Sequence, residues 1–254
     1  MSTAGDPARE AEIATLAETI ARHDRAYWEL GAPEITDDAY DALLRRLREL
    51  APEHPLLHRV NAPRVYGAGR VRHARPMLSL DKAYSLDELR EWVGKYARSP
   101  AEPLLVQPKY DGISAVFTNG LLLTRGDGEY GEDISAKLPL IELEAPGYRG
   151  PLDRPARGEI VIREDDFRTR WPHILKKDGA PYKNSRNAVA GIMGLKDIGD
   201  MLRQGAKLTL VDYLLVSHSV TAGELAERWP ELVAAIEALP YPLDGIVLKF
   251  ADEA

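Results

Sequence analysis

The 254 residues include no cysteine, which excludes a disulfide framework and any thiolate-ligated zinc site. The six histidines fall at no metal-ligand spacing. Neither an HExxH helix nor a Gly-x-Ser-x-Gly elbow is present. No apolar run approaches the ~20 residues needed to span a bilayer. The opening Met-Ser-Thr-Ala-Gly-Asp-Pro-Ala-Arg-Glu is polar, without the apolar segment of a secretory signal. A soluble, cytoplasmic protein is expected, with no membrane partner and no zinc. Positive charge is short as well: the formal net charge is -7. That argues against this chain alone gripping a nucleic-acid backbone tightly, although a local basic groove stays open.

What is present suffices for a folded protein. Hydrophobic residues make up 44% of the chain, enough to build one large domain or one domain with a smaller appendage. The first part reads as helical. Ile13, Leu16, Ile20 and Tyr27 recur at helical spacing, and Gly31-Ala32-Pro33 interrupts them. Thr36 is a plausible N-cap, with Asp37 and Asp38 in the first turn, where the helix dipole favours negative charge. Tyr40, Leu43, Leu44, Leu47 and Leu50 then form an apolar stripe that Pro52 and Pro55 end. Residues 61–80 read as a linker, and Ser85 with Glu88 makes a capping box for a helix through about Tyr96. After Pro100 the texture turns to strands: one ending in a lysine, a hairpin turning at Asn119-Gly120, and others at 158–162, 207–216 and 245–250. Helices are expected at 185–194 and 222–239. The fold class is α+β, a helical hairpin (1–62) followed by an antiparallel-sheet domain (63–254).

The stretch around which the chain is organised is Pro108-Lys109-Tyr110-Asp111-Gly112. A lysine is a poor nucleophile while protonated, and covalent catalysis needs it held where the neutral amine is favoured. A strand-end lysine beside a carboxylate, with a glycine that lets a ligand come close, is one way to do so. A solvated strand-turn-strand is the plain alternative. Downstream, Arg125-Gly126-Asp127-Gly128 and Gly131-Glu132-Asp133 could offer backbone amides to phosphates or ribose, though a P-loop's spacing is missing. Arg157-Gly158-Glu159 places a carboxylate on a strand. Asn184-Ser185-Arg186-Asn187 opens a helix whose N-terminus could receive an anion. Asp244-Gly245-Ile246-Val247-Leu248-Lys249 repeats the acid-glycine theme. In the hairpin, Asp37, Tyr40 and Asp41 share one helix face near Tyr27-Trp28, a surface suited to a flat cation attached to a sugar; an acidic first turn with core aromatics is the alternative.

In this order, Lys-x-Asp-Gly, Arg-Gly-Glu and Asp-Gly-x-Val-x-Lys resemble the covalent nucleotidyltransferases, and among them the bacterial NAD-dependent DNA ligases. The Arg-Gly-Asp-Gly…Gly-Glu-Asp block, residues 184–191, Met77-Leu78-Ser79-Leu80-Asp81 and Ala-Pro-Glu-Ile-x-Asp-x-x-Tyr-Asp (residues 32–41) carry the resemblance, which runs from about residue 10 to 250. It implies a nucleotidyltransferase fold of ATP-grasp-like type and a monomer that transfers AMP from NAD to Lys109 and releases nicotinamide mononucleotide. Asp111 would orient the lysine or hold magnesium; Glu159 is the other carboxylate that could hold the ion. Arg125 and Glu159 match contacts to the adenylate ribose, Lys249 the phosphate lysine, and Arg186 an arginine near the phosphates or a nicked DNA acceptor. Ser79, Leu80, Gln107 and Tyr110 join the adenylate pocket; Tyr27, Trp28, Asp37, Tyr40 and Asp41 match the nicotinamide-nucleotide site.

Some positions depart from that pattern. Gln107 replaces a glutamate that contacts the adenine amino group, and Trp28 replaces a tyrosine or histidine. Gly194 stands where an arginine is expected, and the segment from Arg186 to Asp244 is short. The family continues past Lys249 with an OB-fold, a four-cysteine zinc finger, helix-hairpin-helix repeats and a BRCT domain, none of which these residues encode. The expectation is therefore a truncated or minimal adenylating module that binds nicked DNA weakly. An adenylyltransferase with another acceptor and a non-catalytic nucleotide scaffold are the alternatives.

Overall fold

The structure is a computed structural model, and it describes residues 7–24, 26, 34–57, 69–77 and 80–251. Tyr27, Trp28, the break at Gly31-Ala32-Pro33, Leu78, Ser79 and residues 61–68 of the 61–80 linker lie outside them. The chain divides into two units, Met1–Val65 with Gly126–Gly128, and Tyr66–Arg125 with Glu129–Ala254.

The first unit is built on α1 (Pro7–Asp24) and α2 (Asp37–Leu50). Thr36 caps α2 as its sequence suggests, its hydroxyl accepting the Ala39 N–H at 3.3 Å. Ile20 of α1 and Leu47 of α2 are both fully buried. An ion pair from Arg46 Nε to Glu12 Oε1, 2.7 Å long and exposed, spans the helices; at such a surface it contributes ~0–1 kcal/mol.

The second unit carries β1 (Arg70–Arg72), α3 (Leu86–Tyr96), β2 (Pro103–Tyr110), β3 (Ile113–Thr118), β4 (Leu121–Thr124), β5 (Tyr130–Glu132), β6 (Ile141–Ala145), β7 (Tyr148–Pro151), β8 (Ala156–Val161), α4 (Glu164–Thr169), α5 (Ser185–Met193), α6 (Gly199–Arg203), β9 (Leu208–Asp212), β10 (His218–Thr221), α7 (Leu225–Glu237) and β11 (Leu243–Phe250). A six-stranded sheet runs β4-β3-β8-β9-β6-β7, a three-stranded sheet β10-β2-β11, and β1 pairs with β5. Among the described residues every ladder is antiparallel except β6 with β9. Asn119 and Gly120 take positive φ values of 51° and 78°, the geometry that suits a two-residue hairpin turn.

Strand alternation decides which side chains are core and which are free for chemistry. In the six-stranded sheet Ala115, Phe117, Ile160 and Leu210 point to one face and are buried under Ala188, Val189 and Ile192 of α5. In the three-stranded sheet Leu104, Val106 and Phe250 pack against Leu225, Leu232 and Ile236 of α7. The opposite faces carry Gln107 and Lys109 of β2 and Ser114 and Glu159 of the larger sheet, beside the buried Val161 and Val211.

Three sequence expectations are corrected. The strand read over 207–216 ends at Asp212, and a separate β10 follows in the other sheet; a turn in which Leu214 N–H bonds Asp212 Oδ1 divides them. The helix read over 222–239 begins only at Leu225. Glu88 does not close the reciprocal half of a capping box: Ser85 Oγ accepts the Glu88 N–H, but the Glu88 carboxylate takes the N–H of Tyr84 instead of Ser85.

Candidate functional site

Lys109 is the penultimate residue of β2, on the face shared with Leu105 and Gln107 and opposite the buried Val106 and Tyr110. Across the ladder it faces Gly245 of β11, where the register shifts between Leu243 and Gly245. That bulge re-aims Asp244, and its carboxylate forms an ion pair with Lys109 Nζ. The lysine is 38% exposed, yet its pKa is held below the usual lysine value. Burial is the main cause and the Lys82 ammonium the next; Glu159 opposes, Arg186 adds to the lowering, and Asp111 opposes more weakly. The acids and cations of the site thus act together on one amine.

Asp111 opens the turn after β2, its N–H fixed on Pro242 O at 2.9 Å. Its carboxylate accepts from Arg186, which stands in the first turn of α5 behind the N-cap Asn184. Gly112 departs from its sequence reading. A Cβ there would lie 2.2 Å from Ile160 O and 2.9 Å from Glu159 Cγ, so the glycine admits strand β8 rather than a ligand.

Glu159 lies opposite Ser114 in the β3–β8 ladder, on the face away from the core. Tyr213 donates to Glu159 Oε2 at 2.6 Å and is 2.7 Å from Ser114 Oγ. Burial pushes the Glu159 carboxyl up to about 7 against the pull of the Tyr213 hydroxyl, Arg186, Arg125 and Lys109. A carboxyl poised there can exist in either form near neutral pH.

Arg125 continues the β4 ladder, its N–H on Ser114 O at 2.9 Å, and its charge reaches Glu159. Gln107 is 4% exposed, with its amide nitrogen donating to Tyr213 O at 2.7 Å and to Ser217 Oγ at 3.2 Å. Lys249 lies opposite Leu105, on the Lys109 side of the sheet but four residues along, ~13 Å at strand rise. Burial and the charge of Arg157 lower its pKa. Leu80 is 58% exposed, and Ser79 is outside the described residues. Tyr110 does not join the site: it is buried with Val161, Val211 and Tyr241, because alternation turns it away from Lys109. Asp244, Tyr213, Ser114 and Lys82 were not singled out from the sequence as site residues. The acid-glycine pair at Asp244 was a usable signal for the first; nothing local marks Tyr213.

On the hairpin, Tyr40 donates to Asp24 Oδ1 at 2.6 Å, and Asp41 is the next residue of α2. Tyr27, Trp28 and the Asp37 side chain lie outside the described residues. Among the described residues no group of three or more His, Asp or Glu side chains is arranged to hold a metal ion, and no helix is long and apolar enough to cross a membrane.

Residues 68–225 match the NAD-dependent DNA ligase adenylation domain, and residues 6–65 match the N-terminal NAD+-binding domain of DNA ligase-like proteins. Curated relatives include DNA ligases of Aquifex aeolicus, 39% identical over 93% of this chain and 40% of that protein, Rhodospirillum rubrum, 36% over 83% and 33%, and Chlorobium phaeobacteroides, 32% over 96% and 44%. The chain spans less than half the length of these relatives. With the lysine, the carboxylates and the arginine assembled on these strands, the chain belongs to the NAD-dependent DNA ligase family, matching its adenylation and N-terminal NAD+-binding domains.

Proposed function

We propose that this chain transfers AMP from NAD to its own Lys109, the first step of nick ligation. The neutral Nζ attacks the α-phosphorus of NAD; the N–P bond forms as the P–O bond to nicotinamide mononucleotide breaks, and the amine proton is lost to a neighbouring base or to water. The observation that carries this reading is Lys109 itself, a strand-held lysine with a lowered pKa among Asp111, Glu159, Arg186 and Asp244. Lys249 and Arg186 supply positive charge suited to the phosphates, and charge stabilisation with in-line placement is most of phosphoryl-transfer catalysis. Arg125 and Glu159 suit ribose hydroxyls. Gln107, with its amide nitrogen occupied, keeps an oxygen as acceptor for the adenine amine. In the hairpin, Tyr27, Trp28, Asp37, Tyr40 and Asp41 would hold the nicotinamide half. The division into a nicotinamide-binding segment, 1–62, and an adenylation segment, 63–254, belongs to the same reading.

Magnesium usually binds through one or two carboxylates with the substrate's phosphates. Asp111 and Glu159 fit that role only as shared ligands, since Arg186 already engages Asp111. When bound, the ion would neutralise phosphate charge. Nicked DNA is the proposed acceptor, weakly held by a chain of net charge -7.

Intact-mass measurement after incubation with magnesium and either NAD or ATP tests the proposal. A gain of one AMP from NAD alone, abolished in Lys109→Ala, is expected. No adduct from either donor would favour a non-catalytic scaffold, and an adduct from ATP would overturn the role given to the hairpin.

A further inference from the structure

We propose that His73 is a positioning residue that fixes Arg125 against the adenylate. Arg125 is the first residue beyond β4. Thr124 lies opposite Ala115 on the core face, so alternation places Arg125 with Ser114 and Glu159 on the other face. Its N–H is held by Ser114 O. Its carbonyl has no continuing strand to pair with, because the backbone leaves the ladder through Gly126 and Gly128, whose φ values are 57° and 94°. His73 takes that place, with Nε2 3.1 Å from Arg125 O. A carbonyl only accepts, so Nε2 carries the hydrogen.

The histidine is itself built in. It is 9% exposed, and its own N–H donates to Glu129 O at 2.8 Å. The ring lies against Gly131, where a Cβ would be 2.7 Å from Cε1 and Nε2 and 2.1 Å from Thr124 O. The absence of a side chain at Gly131 is what lets the imidazole reach the carbonyl. With Ser114 on one flanking peptide and His73 on the other, both peptide planes around the Arg125 Cα are set. The direction of its Cα–Cβ bond is then set too, which aims the root of the side chain at the site and leaves only its χ torsions to be ordered on binding.

The inference rests on the reading that Arg125 contacts the adenylate. It is tested with His73→Gln, His73→Asn and His73→Phe, scored by the rate of adduct formation against NAD concentration and by AMP affinity in calorimetry. Glutamine can present an amide N–H where Nε2 stands; asparagine stops short, and phenylalanine has no donor. Expected are a kcat/KM within about threefold of the parent for the glutamine variant and a loss of about tenfold or more for the other two, with a similar fall in AMP affinity. In the Arg125→Ala background His73→Asn should cost nothing further, because the histidine acts through the arginine. Equal behaviour of the asparagine and glutamine variants, or losses that multiply with Arg125→Ala, would overturn the role of His73. A parent chain that forms no adduct would count instead against the proposed function, and AMP affinity would still decide the histidine.

Discussion

Lys109 experiences an ion pair and burial at once, and the two act on its proton in opposite senses. The pairing with Asp244 favours the ammonium, while burial and the Lys82 charge favour the amine. Asp244→Asn should therefore move the pH of half-maximal adduct formation downward, by roughly half a unit or more. A pH series read by quenched mass spectrometry checks this; an unchanged midpoint would sink the idea that Asp244 holds the proton. Glu159 makes a second prediction through stability. Its pKa rises from 4.5 to about 7 on folding, so between those values the folded state binds more proton than the unfolded one. Stability then falls as pH rises through that window and levels off above about 7. Urea midpoints should show this slope in the parent and a reduced one in Glu159→Gln. The lysine, Asp111, Glu159 and Lys249 were legible as chemistry-bearing residues because each sits in a short acid-glycine or arginine-glycine motif. Tyr213 was not, since only the β8–β9 ladder brings its hydroxyl to Glu159.

Among the elements, the β2–β3 turn carries the most constraint for its length. Gly112→Ala would place a methyl group 2.2 Å from Ile160 O and 2.9 Å from Glu159 Cγ. Overpacking of that kind costs about 1–3 kcal/mol, and here the displaced strand is the one that holds Glu159. Thermal melts and adduct rates should show activity falling further than the stability loss alone explains. Gly94 is the control: it lies in α3 with nothing within 4 Å of an added Cβ. Gly94→Ala should raise stability by ~0.5–1 kcal/mol, from helix propensity, and leave adduct formation unchanged. The caps at Thr36 and Ser85 and the Asn119-Gly120 turn could be read from sequence because their physics is local. The end of β9 and the parallel β6–β9 pair could not, because ladder partners far apart in the chain decide them.

For the whole chain the acceptor is the governing question. Phosphate contacts scale with clustered positive charge, and the net charge is -7. The adenylated chain should bind nicked duplex DNA with a Kd no tighter than about 1 μM near physiological salt. It should also seal the nick far more slowly than it adenylates itself. Fluorescence anisotropy and a denaturing-gel ligation assay measure the two; tight binding at that salt would show a basic groove that the net charge conceals.

The sequence by itself determined the chemistry available: a lysine, two acids and a second lysine in ordered motifs, no thiolate for zinc, and the helical and strand periods that hold them. Those are properties of short stretches, where composition and spacing decide the outcome. Only the tertiary structure decided which groups meet. It turned Tyr110 into the core, brought Asp244 onto Lys109 through a bulge, set Gly112 against β8 in place of a ligand, and placed His73 on the Arg125 carbonyl. Side-chain direction in a sheet depends on register across strands distant in the chain, and no local pattern records that register.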